Sequence, residues 1–512
     1  MNTKSLLLAS LMLFFVSGIA SAQITFQRIY GGTGSDYGHS IQQTTDGGYI
    51  VVGTIGANNS NVYLIKTDSN GDVMWTHIYG GSDVDFGQSV GQTIDGGYII
   101  AGIYDFSMYV IKTNENGNIV WTKTYGSYID MANSVKQTHD DGYIIVGESY
   151  SAAGDENVCA IKTNANGDTL WTKTYGGTSD DVGLNATETI DNGYIIVGST
   201  KSFGGGNSDV YLIKIDSVGS MLWSKTYGGL SDDYGTSVQP TTDGGYIIGG
   251  YTWSFGAGSV DMYLIKTDAI GDTLWTKTYG GSMADYCRQI QETNEGGYIV
   301  VGNTYSYGAG SSDVYLVKLN SYADTVWSKT YGGSNDDGGE SVQQTTDGGY
   351  CIAAFTQSFG TGNVYVIKTD ANGNSGCNQG KPLTCIKTTA TISSNPATIV
   401  NMPLIFVTTP VTTVSSESTS VTLCSNSINE ITKETNVLSI FPNPTTTNTF
   451  TLQLPPDFSP ATLQIFNTLG ALVYEQSITQ ASTLISLNKP AGIYFVKVDD
   501  GDRVVMGKLI IQ

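Results

Sequence analysis

The hexapeptide Trp223-Ser224-Lys225-Thr226-Tyr227-Gly228 decides the fold, because close copies of it recur along the chain. The Trp stands at positions 75, 121, 171, 223, 275 and 327, at spacings of 46, 50, 52, 52 and 52 residues. One period upstream, Phe26 takes the Trp position and is followed at the same offset by Tyr30-Gly31-Gly32; one period after Trp327 stands Cys377, where the phrase is lost. A fixed period of this length is the mark of a repeat architecture, and seven units lie between residues 26 and 377.

Each unit reads as four short strands. In the copy that starts at Trp223, Leu222 to Tyr227 alternates large with small residues, as a half-exposed strand does. Thr236 to Thr242 is a second strand, closed by the hairpin signal Asp243-Gly244-Gly245. Tyr246-Ile247-Ile248 is apolar on both faces, as a strand covered on each side must be. Met262 to Thr267 follows the loop Ser254 to Gly258, and Asp268 to Asp272 turns the chain into Trp275. Four strands per unit and seven units predict an all-β, seven-bladed β-propeller. The ends are complementary: Ile24 to Tyr30 is an orphan outer strand, and the seventh unit lacks its fourth strand near Asn374. The N-terminal strand therefore closes the last blade and hides both open edges.

The composition suits this reading. Gly accounts for 64 of 512 residues and Tyr for 32, and the charged share is 14%, against about 25% in ordinary soluble proteins. A net charge of −22 repels phosphate backbones and anionic lipid, which excludes nucleic acid as a partner. At the N-terminus, Lys4, the apolar run Leu6 to Val16 and Ala20-Ser21-Ala22 form a signal peptide over residues 1–22, cleaved between Ala22 and Gln23. No run reaches the length of a transmembrane segment.

Candidate sites fall on the loops. An Asp follows the Trp position by ten residues in nearly every unit, including Asp181, Asp233 and Asp285, and these carboxylates should gather at one mouth of the central channel. Clustered carboxylates are what Ca2+ takes. Recurrence in every blade instead favours a carboxylate that caps its own turn, since a site needs few copies and every blade needs the turn. No cofactor is therefore expected. The lysine that recurs on the third strand (Lys66, Lys112, Lys162, Lys214, Lys266, Lys318, Lys368) reads as a solvated or snorkelling residue. Three consecutive long loops carry Phe203, Phe255 and Tyr307, which serve either as a platform for sugars or as loop-packing anchors. Cys159, Cys287 and Cys351 fall inside blades and read as small buried hydrophobes; Cys377, Cys385 and Cys424 follow the repeats, where two of them can pair.

No nucleophile elbow, zinc-binding helix or phosphate loop stands in a fitting context, so an enzyme is the less favoured reading. The propeller, residues 23–377, reads as a secreted or surface binding module for a glycan or protein; the alternative is an extracellular polysaccharide- or peptide-degrading enzyme using the same face. Residues 378–436 are rich in Thr, Ser and Val and read as a linker.

Residues 437–512 change character again. Phe441-Pro442-Asn443-Pro444 opens the segment, the strands Thr449 to Leu454, Thr462 to Phe466 and Leu472 to Tyr474 follow, and Gly492-Ile493-Tyr494 and Lys508 to Gln512 close it. Short alternating strands over such a span predict a small β-sandwich. These residues resemble the C-terminal sorting domain of the type IX secretion system of Bacteroidota, with Phe441 where Tyr is commoner. The resemblance implies export, contact with the type IX machinery, removal of the tail, and a secreted or outer-membrane surface location.

Overall fold

The computed structural model describes residues 23–32, 34–56, 60–81, 84–126, 130–150, 154–360 and 362–376, and, further on, 392–393, 398–400, 412–414, 419–425, 439–441, 443, 445, 449–454, 461–467, 471–480, 482–499 and 504–511. The signal peptide, Cys377, Cys385, Pro442 and Pro444 lie outside the described residues, and so does the side chain of Cys424.

The described residues form no helix, and the chain divides into two compact units, 1–427 and 428–512. In the first, seven antiparallel sheets each run in chain order from an inner to an outer strand. The inner strands are Tyr37–Gln43, Asp85–Gln92, Met131–Gln137, Asp181–Glu188, Asp233–Pro240, Asp285–Glu292 and Asp337–Gln344, for blades one to seven. Blade seven takes its outer strand from the N-terminus: Phe26–Gly31 pairs antiparallel with Asn363–Thr369, from Phe26 opposite Lys368 to Tyr30 opposite Val364. Each junction between blades has its own apolar core. At the closing junction Phe26, Tyr30, Ala353 and Val364 of blade seven pack with Ile41, Tyr49, Val51 and Tyr63 of blade one. The ring is a closed seven-bladed propeller.

The repeated phrase is the cement of these junctions. Its Tyr is buried, and its hydroxyl donates to the carbonyl of the turn that joins the third and fourth strands of the next blade. Tyr30 bonds Gly71 at 2.7 Å, Tyr79 bonds Gly117 at 2.6 Å, Tyr227 bonds Gly271 at 2.7 Å and Tyr331 bonds Gly373 at 2.6 Å. Gly271 sits at φ +81°, and a Cβ there would strike Trp223 at 2.8 Å, so glycine both makes the turn and lets the Trp ring lie against it. That Trp packs against the next blade's Tyr246 with the rings tilted by 60° and their centroids 6.0 Å apart.

The recurring lysines are not solvated. Lys66, Lys112, Lys162, Lys214, Lys266 and Lys368 are buried, and each ammonium donates to the carbonyl of the next residue or pairs with the Asp of the hairpin between first and second strands. Lys66 reaches Asp46 at 2.8 Å and Lys368 reaches Asp347 at 2.9 Å. The partner Asp keeps contact with solvent, so only one member of each pair loses its hydration. Strand alternation places this position on a covered face, and the Asp of the Asp-Gly-Gly hairpin supplies its counter-charge. Cys159, Cys287 and Cys351 are free and buried.

Short pieces of residues 378–436 add fifth strands to four outer edges. Ile392–Ser393 pairs with blade four, Thr398–Val400 with blade three, Thr412–Val414 with blade one, and Thr419–Ser425 with Phe26–Gly31 of blade seven. β-branched Thr and Val suit such pairing, which covers edges that would otherwise be open.

The second unit is a sandwich of two sheets. One holds Ser439–Phe441, Thr449–Gln453 and Ser482–Ser486; the other holds Leu472–Ile478, Ala461–Asn467, Gly492–Asp499 and Val504–Ile511. Leu452, Leu463, Ile465, Val496 and Leu509 lie at its centre. The two ends of the unit meet: Ile510 N–H donates to the Asn443 side chain at 2.8 Å, and Thr445 N–H to the Ile510 carbonyl at 2.9 Å.

Ring closure predicts a common cost at all junctions. Tyr30→Phe and Tyr227→Phe should each destabilise the propeller by about 1–3 kcal/mol in denaturant unfolding, by orphaning a buried carbonyl. Deleting residues 23–31 should abolish cooperative unfolding. A Tyr30→Phe protein as stable as the parent would mean an open ring.

Candidate binding mouth of the propeller

The recurring Asp side chains, Asp36, Asp85, Asp181, Asp233, Asp285 and Asp337, together with Asp130 one residue nearer its Trp, are buried at the base of the loops that lead into the inner strands. Asp181, Asp233 and Asp285 accept from the backbone N–H of Gly177, Gly229 and Gly281 at 2.7–2.8 Å and from the hydroxyls of Ser202, Ser254 and Ser306 at 2.6–2.7 Å. Burial raises their carboxyls above the usual range, and these hydrogen bonds oppose it. Among the described residues no three acidic, His or Cys side chains gather as a metal-ion set.

Phe203, Phe255 and Tyr307 occupy equivalent places in consecutive blades, but each joins a different junction core. Their rings lie 5.8 Å from Tyr211, 5.9 Å from Tyr263 and 5.9 Å from Tyr315. Tyr307 also donates its hydroxyl to the Gly280 carbonyl at 2.9 Å. The structure does not bring the three together on one surface; each anchors its own loop.

What the structure does bring together sits at the same mouth, at positions where the blades differ. In blade five the inner-strand Tyr234 pairs across the strands with Tyr251, and their rings stack at 5.2 Å. Trp253 meets both edge-on, at 5.9 and 5.4 Å. Tyr286 of blade six lies 5.1 Å from Tyr251 and 6.3 Å from both Trp253 and Tyr305. Trp253 and Tyr305 stay 41% and 40% exposed and form a contiguous apolar patch with their neighbours. Beneath this arc the Arg288 guanidinium sits 5.9 Å from the Tyr286 ring centre, with its Nε 3.6 Å from the Glu340 carboxylate of blade seven. On the far side Tyr37 contacts Phe355 at 5.6 Å and His39 at 6.4 Å. Burial and the nearby Arg288 push His39 down to about 4, so it is neutral at physiological pH.

The equivalent positions in blades three and four carry other chemistry. Lys201 pairs with Asp180 at 2.9 Å. Tyr150 donates to Glu156, and Glu148 stands beside them; burial, then Glu156 and Asp130, raise Glu148 to about 7. The mouth residues do not recur from blade to blade, so the repeat does not reveal them. The available signal is the reverse: Tyr251, Trp253, Tyr286 and Tyr305 are aromatic where Ser199, Lys201, Gly338 and Gln357 stand in a neighbouring copy.

The raised Glu148 sets a pH dependence. A carboxyl raised above its ordinary value contributes stability that is complete below that value and is lost as pH rises through about 7. The melting temperature should fall between pH 5 and 8, and Glu148→Gln should flatten the profile, a difference of order 1–3 kcal/mol. A profile unchanged by the substitution would contradict the placement of Glu148.

Comparison with known proteins separates the two units. Residues 439–512 match the family described as "Secretion system C-terminal sorting domain". A 173-residue stretch, 30% of this chain, is 28% identical to the regulatory protein FlaEY of Caulobacter vibrioides and covers 16% of that protein's length. Among solved structures, PorZ, a surface component of the type IX secretion system of Porphyromonas gingivalis, is similar over 94% of this chain and 60% of its own, with 10% identity and a TM-score of 0.35. A protein of unknown function from Dyadobacter fermentans is similar over 68% of this chain and 99% of its own, with 11% identity and a TM-score of 0.38. Among the described residues no helix is long and apolar enough to cross a membrane. Residues 439–512 are a type IX secretion C-terminal sorting domain, and the chain is a type IX cargo exported to a secreted or outer-membrane surface location.

Proposed function

We propose that the propeller is an extracellular carbohydrate-binding module whose mouth takes a saccharide against the arc Tyr234, Tyr251, Trp253, Tyr286 and Tyr305. The half-exposed Trp253 and Tyr305, met edge-on by the partly buried Tyr251 and Tyr286, carry this reading. A sugar offers an apolar C–H face that lies against an aromatic ring and hydroxyls that need polar partners, and Asn303, Arg288 and Glu340 stand within the same mouth. The rings are preorganised by their contacts with one another, so binding costs little ordering of side chains.

Glycan-array binding of residues 23–427 tests this. Trp253→Ala and Tyr305→Ala should each weaken binding about tenfold or more, with little change in melting temperature because both rings are half-exposed. Binding that survives both substitutions would refute the assignment, as would an array without hits.

A second reading rests on Glu148. A carboxyl raised to about 7 at a propeller mouth is suited to general acid catalysis, which supports hydrolysis of a polysaccharide. Release of reducing ends from the bound glycan, abolished in Glu148→Gln, would favour this reading; binding without turnover would favour the first.

Delivery is tested separately. A chain that ends at residue 438 should accumulate in the periplasm with its propeller folded, since the sandwich has its own core. Surface delivery of that truncated chain would contradict the role of the sorting domain.

A further inference from the structure

Below the mouth the channel is built from the inner strands, whose free edges point N–H groups at the neighbouring blade. Side chains of the preceding blade accept them. Gln42, Gln239, Gln291 and Gln343 take the N–H of Gln92, Glu292, Gln344 and Gln43 through their carbonyl oxygens at 2.6–2.8 Å. That bond fixes each amide: with its oxygen committed to the backbone, the NH2 end is left over, and among the described residues it has no protein partner. The same residues line a cavity of about 190 Å3, to which their NH2 groups offer donors.

Three blades depart from the pattern: blade two carries Gly91 there, blade four Thr187, and blade three a charge. Lys136 holds the place that Gln42 holds in blade one, lines the same cavity, and among the described residues pairs with no carboxylate. An ammonium cannot accept the N–H of Glu188 that a Gln would take, so the ring loses a bond and gains a charge at its centre. Nothing in the architecture of the ring calls for that exchange. His39 and Glu340, on the same ring of inner strands, do not neutralise it: His39 is uncharged, and Glu340 is paired with Arg288. In a chain of net charge −22, a cation with no carboxylate partner among the described residues, set among amide donors, is a local reversal of sign.

We propose that the channel is an anion site, in which the Lys136 ammonium and the NH2 groups of Gln42, Gln239, Gln291 and Gln343 hold a carboxylate. The carboxylate belongs either to a free organic acid or to a uronic acid unit of a saccharide seated at the mouth. Charge-assisted bonds from Lys136 supply the attraction, and the amides supply selection for oxygen acceptors.

The test is thermal unfolding and calorimetric titration of residues 23–427 at constant ionic strength, with acetate, galacturonate, oligogalacturonate and, as the neutral control, galactose. At least one carboxylate should raise the melting temperature and bind saturably, while galactose gives no Lys136-dependent shift. Lys136→Gln should weaken carboxylate binding at least about tenfold. This variant should fold at least as well as the parent, since Gln is what four other blades carry there. Response to acetate and galacturonate identifies a free acid as the ligand; response to oligogalacturonate alone, lost also in Trp253→Ala, identifies a saccharide entering from the mouth. Failure of every carboxylate, or binding that survives Lys136→Gln, would overturn the anion site. Neutral glycans that bind through Trp253 would leave the carbohydrate reading standing in that case.

Discussion

Seven sheets arranged as a ring leave seven inner strands with one edge unpaired, and a buried N–H without an acceptor costs about 1–3 kcal/mol. The chain meets this constraint with side chains rather than backbone. Ser40, Ser89, Ser237 and Ser341 accept the N–H of Val90, Val135, Ile290 and Ile41 at 3.3–3.4 Å, one level above the Gln bonds. Asn185 and Gln289 do the same for Val238 and Val342. The exceptions follow the same logic. Pro240 has no N–H to satisfy, and the residue facing it from the preceding blade is Thr187 rather than Gln.

The outer part of the ring is held by a different set of contacts. Tyrosine hydroxyls reach the turn of the next blade, tryptophans lie against its second strand, and buried lysines pin the hairpins at the channel end. These contacts occur in nearly every blade because each junction needs them. Positions free of that duty are where the blades diverge, and there the mouth aromatics, Arg288, Glu148 and Lys136 are found. The ring is a scaffold with equivalent junctions, and its chemistry lies in the departures from equivalence.

That division explains which features could be read from the sequence. The period of the Trp phrase, the Asp-Gly-Gly hairpins and the orphan strand at Ile24 to Tyr30 are local signals, and blade count and closure follow from them. The sorting domain was legible because its pattern is contiguous and its ends, Asn443 and Ile510, meet in space. Burial of the lysines is not legible locally, because it depends on a partner some twenty residues away in sequence, such as Asp46 for Lys66. Phe203, Phe255 and Tyr307 drew attention through loop length, yet a ring on a long loop can turn inward as easily as outward. The mouth needed the fold first: Tyr251 and Tyr286 are 35 residues apart in sequence and 5.1 Å apart in space.

The most direct test of the account is amide hydrogen exchange at the inner strands. The N–H groups of Gln92, Glu292 and Gln344 are bonded to Gln side chains, whereas those of Gln137 and Glu188, at the same strand position, face Gly91 and Lys136, which offer no acceptor. Satisfaction of the inner edge by side chains predicts slow exchange for the first three and exchange faster by orders of magnitude for the last two, within one folded protein. Equal protection at all five sites would show that the inner edge is satisfied in some other way, and would contradict the account.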